Sequence, residues 1–454
     1  KKLKMSSVNF DDLVRLSKQF ENDVNVEFPT KYNRLEYVCG NDTDRQSRAV
    51  YHAMSARIVV HKKVVTLIQD FLQYKKQHGS SIEKSLYSNI TLDQFLDRLI
   101  KKRPLVFMTR ADTALLRTGF AVVGGFHKIG TDVEEPPLTL EHYMSYEEIA
   151  IAALCCVSSY THFINNASRN NCGTRQEASQ YEDEGVYIAA VGARFERKDQ
   201  MESLHMLVDP ERTTEAAGYG ARGQATALRA QLAPFAKLYG CGDGTNHFFP
   251  SAAEVQAKVN AAGGSLERAG FVQLRTGRLL NINIFSQRIR ITIDLMLAEG
   301  NDRAKTVSKR AFVYLVGLGL GVWAVSVEAQ TIAFLNQVEE SIAKSSYAHI
   351  DTIYFGWFHF QTKTMFDGAI AKDCNGHQIK IVFGQNNPAE PMTSKNDLLV
   401  ANFAWDGNAF PGNEYWQGML AASGDPAAAC CSTIPEIQNP YINTNLTGKS
   451  NFIV

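Results

Sequence analysis

The stretch Ala311–Gln330, AFVYLVGLGLGVWAVSVEAQ, limits the folds open to this chain more than any other. Residues 311–316 are apolar, and Phe312, Val313 and Val316 favour a strand. Gly317, Gly319 and Gly321 follow at every second position. From Glu328 to Lys344, Ile332, Leu335, Val338 and Ile342 recur at helical spacing. Strand, glycine-rich turn, helix is the unit with which α/β proteins bring backbone N–H groups onto phosphate. The glycines allow close approach and the helix adds its positive end. The turn is neither G-x-G-x-x-G nor a P-loop, since no Gly-Lys-Ser/Thr follows. A turn that only lets strand and helix pack is therefore the competing reading. The apolar run, about 17 residues with three glycines, is short for a bilayer span, and no membrane association is expected.

The remaining chain predicts an α/β fold. Asp11 to about Lys102 reads as helical, with Val50, Met54, Ile58, Val64, Ile68 and Phe71 at repeated apolar positions and a basic end at Lys101, Lys102 and Arg103. The polar, proline-ending TDVEEPP (131–137) is the best domain boundary. It separates a helical domain, 1–137, from an α/β domain, 138–454. Met144 to Tyr160 reads as an apolar helix, and THFINNASRNNCG (161–173) as a polar loop. Gly185–Phe195 reads as a buried strand, with another at 203–208. A helix is expected over 225–239, with Pro234 as a point where it could kink or break, a strand or two over 271–290, and a helix over 291–304. Further strands are expected at 350–358, 378–383 and 398–403, and the tail after Pro440 as loop. Strands alternating with helices argue for a sheet that is at least partly parallel.

Lys+Arg and Asp+Glu both number 47, so the basic excess of a general nucleic-acid binder is missing. Eight cysteines without a C-x-x-C pattern predict reduced thiols in a cytoplasmic setting, and no leader segment is evident. His349, His359 and His377 lack metal-ligand spacing, so no zinc site is expected. No G-x-S-x-G is present.

In open α/β sheets, ligands sit beyond the C-terminal ends of the strands. Two loops leave strands there: GLGLGVW (317–323) and DGNAFPGNEYW (406–416). The second combines Gly407 and Gly412 with Asp406, Asn408, Asn413 and Glu414, residues able to read sugar hydroxyls, while Tyr415 and Trp416 could wall a pocket. Together they describe a site for a phosphorylated sugar or nucleotide; an Asn/Gly turn with a capped helix is the alternative.

These same segments carry a resemblance. LVGLGLGVW, LLVANFAWDGNAFPGNEYW, SGDPAAACCSTIPEIQNPYIN, FINNASRNNCG and VGARFE resemble the macrodomain-like ADP-ribosylhydrolase family that includes the Legionella effector MavL. It covers about residues 141–445. The resemblance implies a three-layer α/β/α macrodomain-like fold with a mixed sheet, binding ADP-ribose. The implied activity is removal of ADP-ribose from a modified protein, with arginine as the modified side chain and ubiquitin as an implied partner. It implies no redox cofactor or metal. Gly317, Gly319, Leu320, Gly321, Val322 and Trp323 would form the diphosphate loop. Asp406, Asn408, Phe410, Gly412, Asn413 and Glu414 would serve the distal ribose and diphosphate, with Asn165, Asn166 and Arg169 as a further wall.

Cleaving ribose C1″ from a guanidine passes through an oxocarbenium-like transition state. It needs a carboxylate near the anomeric carbon and a proton for the leaving group. The candidates are Asp406, Glu414 and Asp302, with Asp294 and Asp351 behind them. Two other functions use the same features: a non-catalytic ADP-ribose reader, and a protein-binding scaffold whose glycine loops are structural.

Overall fold

The computed structural model describes residues 8–358, 368–394, 396–421, 423–448 and 451–454. Among these, nine strands form one mixed sheet: β1 Arg57–Val60, β2 Cys155–His162, β3 Glu184–Ala190, β4 Arg310–Leu315, β5 Ile350–Gly356, β6 Ile370–Lys372, β7 Gln378–Gly384, β8 Asp397–Ala404 and β9 Phe452–Ile453. Their order across the sheet is β6-β7-β5-β4-β8-β3-β2-β1-β9. The five from β7 to β3 run parallel. β6 joins β7, β2 joins β3 and β1 joins β2 in antiparallel pairs.

The central strands read as near-continuous apolar runs because helices and loops cover both faces, the usual condition of parallel sheet. The 25-residue helix Ile282–Thr306 buries Ile289, Ile293, Met296 and Leu297. Its Gly300 comes so close to the sheet that a Cβ would touch Val313 of β4 and Val400 of β8 at 3.4 Å. The helix Val327–Lys344 packs beside it. Strand, glycine turn and helix thus follow one another as the 311–344 pattern predicts, and 350–358, 378–383 and 398–403 match β5, β7 and β8 within a few residues.

Several expectations are corrected. The apolar run 144–160 is two elements. Tyr146–Ala152 is a helix begun by a Ser145/Glu148 capping box, and the buried strand β2 follows after a two-residue turn. A fully buried strand has no polar face to betray its period. Residues 202–206 are helical and only 207–208 extended. The 271–290 region is a short hairpin running into the long helix. The helix expected over 225–239 is present as Ala227–Leu238 and runs through Pro234, whereas the tail, read as loop, closes as β9, parallel to β1.

The N-terminal region is more than helix. It supplies β1 to the main sheet and a small three-stranded sheet, Val106–Met108, Thr113–Leu115 and Ala121–Val123. Leu35, Ala49, Ala53, Leu67 and Phe71 belong to the same apolar core as β2, β4 and β8. A boundary at residue 137 therefore crosses a shared core.

Candidate active site

A cavity of about 970 Å³ opens where β4, β5 and β8 end. Neighbouring loops leave these strands in spatial order. Trp357 follows β5, the 317–323 glycine loop follows β4, and Asp406 follows β8. All three line the cavity, together with Met108, Asn402 and Glu414.

The glycine loop is shaped by close contacts. Gly319 has φ +68°, and a Cβ there would press on the backbone of Ala193 at 3.0 Å. Its backbone also leaves no room for a Cβ on Gly192. Only glycine meets both demands. Gly321, by contrast, faces open space, and the neighbouring Val322 is 97% exposed. The buried Gln330 side chain accepts the N–H groups of Val325 and Ser326, at 2.8 and 2.9 Å, fixing the helix start behind the loop.

The 406–416 loop is held from below. Arg103 donates to the Gly407 carbonyl, and the Phe107 N–H donates to Asn413 Oδ1 at 2.8 Å. The buried Arg194 donates to Asn408 Oδ1, and Asn413 Nδ2 donates to Asp406 Oδ2. Asn408 and Asn413 therefore position the loop and its acid and do not line the cavity. Phe410 is buried against Phe20, 6.2 Å between ring centroids. Gly412 has φ +102° and donates its N–H to Asp425 Oδ1 at 2.6 Å. Tyr415 and Trp416 likewise face the core.

Three carboxylates meet here: Asp406, Glu414 and Asp425 offer oxygens within 4.8 Å of one another. Asp425, at the start of the helix Gly424–Cys431, is wholly buried. It also accepts the Asp406 N–H, at 3.3 Å. Burial, then the neighbouring Glu414, push Asp406 up to about 8. Burial raises Glu414, and burial with the two neighbouring acids raises Asp425. Like charges so close cannot all ionise at neutral pH. Asp406 and Glu414 line the cavity, and Glu414 Oε2 has no hydrogen-bond partner. Such a set can supply and accept protons, stabilise a developing cation, or ligate a divalent ion.

Other candidates fall elsewhere. Asp302 lies on the long helix, paired with Arg57 at 2.5 Å beside Glu299, and is not part of the cavity wall. Asp294 pairs with Arg290 at 2.6 Å and Asp351 with Arg310 at 3.0 Å. Asn165 and Asn166 brace their own loop through Ala167 and Ser168 N–H groups, and of this segment Ala167 and Arg169 reach the cavity. His359 lies outside the described residues.

Three features of the site escape the sequence reading: two in the cavity wall, and Asp425 buried behind it. Asp425 sits in a run, SGDPAAACC, that looks like an ordinary helix start. Asn402 interrupts the apolar β8, itself a signal. Its Oδ1 accepts the Val316 N–H at 2.9 Å, while its buried Nδ2 has no partner. Trp357 is 57% exposed with φ +63°, a strained conformation for a bulky residue of the kind found at functional sites.

A family model described as ADP-ribosylhydrolase MavL-like matches residues 11–454. Two Drosophila melanogaster proteins are similar over nearly the whole chain. ADP-ribosylarginine hydrolase CG3568 is 33% identical over 452 residues, covering 98% of this chain and 85% of that protein. ADP-ribosylarginine hydrolase CG2909 is 29% identical over 453 residues, covering 98% and 86%. A match spanning both the acid-lined cleft and the N-terminal segment beneath it places this chain in the MavL-like ADP-ribosylhydrolase family.

Proposed function

We propose that this chain hydrolyses the N-glycosidic bond joining ADP-ribose to an arginine side chain of a modified protein, using a macrodomain-like arrangement of the ADP-ribose site. The carrying observation is the order of groups along the cleft: exposed aromatic, glycine loop, acid trio. Adjacent strands are about 4.8 Å apart, so this row matches the succession adenine, diphosphate, distal ribose. Trp357 stacks on adenine, the 317–323 backbone and the Asn402 amide receive the diphosphate, and the ribose C1″ faces the acids. The names of the two Drosophila relatives support arginine as the linkage.

Asp406, protonated at neutral pH, donates its proton to the guanidine nitrogen as the C1″–N bond breaks. Asn413 occupies one carboxyl oxygen and leaves the other toward the cleft. Glu414 takes a proton from water as that water adds to C1″, giving ADP-ribose and free arginine. Asp425 holds the 406–412 backbone through the Asp406 and Gly412 N–H groups, and so fixes the two acids beneath the oxocarbenium.

The N-terminal segment, which lends Met108 to the cavity wall, contributes recognition of the protein carrying the modification. Ubiquitin is the protein to test first, on the resemblance to MavL. A cytoplasmic setting belongs to the same proposal, supported by eight cysteines that are all free thiols. Among the described residues no helix is long and apolar enough to cross a membrane.

The test is incubation with arginine-, glutamate- and serine-linked ADP-ribosyl proteins, ubiquitin included, with chromatographic detection of released ADP-ribose. Release from arginine alone is expected. Tight binding of ADP-ribose without release from any linkage would mark the chain as a reader and refute the hydrolytic assignment.

A further inference from the structure

A second cluster lies at the other end of the sheet. Glu184 opens β3 and pairs with His162 at the close of β2. His52 comes from the helix Thr43–Ser55, which packs on β2. The two imidazoles lie with ring centroids 4.7 Å apart. Both are fully buried, yet none of their four ring nitrogens has a hydrogen-bond partner. Buried polar groups in folded chains are nearly always satisfied; here Glu184 stands within ion-pair range of both rings, but no ring nitrogen closes a well-aligned hydrogen bond, which leaves donor atoms for a further ligand.

The spacing indicates what that is. His162 Nδ1 lies 3.4 Å from Glu184 Oε1 and His52 Nε2 lies 3.8 Å from Glu184 Oε2, and the three residues offer donor atoms within 4.8 Å of one another. Two zinc bonds of about 2.0–2.1 Å meeting near the tetrahedral angle hold their ligand atoms about 3.3 Å apart. The geometry points to a zinc-class divalent cation bound by His52, His162 and Glu184. Two imidazoles and one carboxylate suit zinc, and disfavour magnesium or calcium, which prefer oxygen. The ion ties the helix Thr43–Ser55 to the sheet, a structural role remote from the cleft.

Arg48 guards the site. Its Nε donates to both Glu184 oxygens, at 3.1 and 3.0 Å, while its side chain is half exposed. Arg45 pairs with the adjacent Asp183. The Arg48 guanidinium competes with a cation for the carboxylate and covers the outer approach, so swinging it outward opens the entry path and the fourth coordination position.

The test uses the full chain stripped with a chelator and titrated calorimetrically with Zn²⁺, then with Co²⁺ as a spectroscopic stand-in. One ion per chain is expected at this site, with the visible absorption of a four-coordinate, nitrogen-ligated cobalt centre and a rise in Tm on adding zinc. His52→Ala and His162→Ala should each weaken binding by about a hundredfold or more, above the 10–100-fold typical of outer-shell changes. Asp406→Asn, in the oxygen-only trio, should leave that absorption intact. Arg48→Gln should tighten binding, a direction that misfolding does not produce, so it decides the matter if the histidine variants fail to fold. The proposal is overturned if the stripped chain binds no zinc, if binding survives both histidine variants, if Asp406→Asn abolishes it, or if Arg48→Gln leaves affinity unchanged or weaker.

Discussion

Asp406→Asn should separate the chemistry of the cleft from its stability. The asparagine keeps the shape of the side chain, and its oxygen can still accept from Asn413 Nδ2, the bond that now orients Asp406. It cannot deliver a proton, so turnover of an arginine-linked substrate should fall by about 10²–10⁴-fold. Stability should move the other way. An unfolded aspartate releases its proton near 3.8, and the folded Asp406 only near about 8. The folded parent therefore holds a proton that the unfolded chain has lost, and it loses stability as pH rises between those values. Each pH step in that window costs about 1.4 kcal/mol for a wholly buried group. Asp406 is part-exposed at the cleft, and screening brings the total down to about 1–3 kcal/mol. The variant lacks this loss. Its advantage should be small at pH 5, grow to about 1–3 kcal/mol at pH 8, and then level off. Guanidinium unfolding at pH 5, 6.5 and 8, paired with single-turnover release of ADP-ribose, reads both quantities. Release at the parent rate, or a stability gap that does not widen with pH, would refute the assignment of Asp406 as the proton donor held neutral by its surroundings.

Gly321→Glu places a carboxylate in open space facing the cavity, without the strain that any side chain would meet at Gly319. Calorimetry should show ADP-ribose affinity reduced at least about tenfold with the thermal transition unmoved, and unaltered affinity would remove the loop from the diphosphate site. Trp357→Ala should weaken ADP-ribose binding by about 1–3 kcal/mol, the scale of a base stacked on an aromatic ring, and an equal loss with ribose 5-phosphate, which has no base, would contradict the stacking. Asp302→Ala removes one partner of Arg57 while Glu299 remains. It should cost about 0–1 kcal/mol of stability and leave single-turnover release unchanged, whereas a hundredfold loss of release would return Asp302 to the catalytic set.

Two of the strands that carry the cleft could be read because each is a short apolar run ended by glycine or polar residues, as at 311–317 and 398–406. The same reading failed over 144–160, where a helix and a strand are both buried and no periodicity separates them. β1 escaped because RIVV lies between helices at Thr43–Ser55 and Lys62–His78 and is held extended by pairing with β2 and β9, contacts about a hundred and about four hundred residues away. At the site, Asp406 and Glu414 stood out because acids among glycines and asparagines invite a chemical explanation. Asn408, Asn413 and Gly412 carried the same local signal but spend it on the loop's own support. Asp425 and Trp357 gave no local sign. Their importance lies in what the fold brings beside them: two carboxylates for one, the open cleft for the other.

The brace that Arg103 and Phe107 form beneath Gly407 and Asn413 spans some three hundred residues of chain, and β1 and β9 close the sheet edge from opposite ends of the sequence. The segment before residue 137 is consequently not a portable module. A chain beginning at Leu138 would leave the edge of β2 bare and the acid loop without its floor, and it should fail to give a soluble, ADP-ribose-binding protein. During synthesis the acid loop emerges about three hundred residues after its support, and the β1 pairing with Phe452–Ile453 comes later still. Change in this segment is therefore confined to substitutions on its surface, since exchanging the whole segment would dismantle the acid-lined cleft with it.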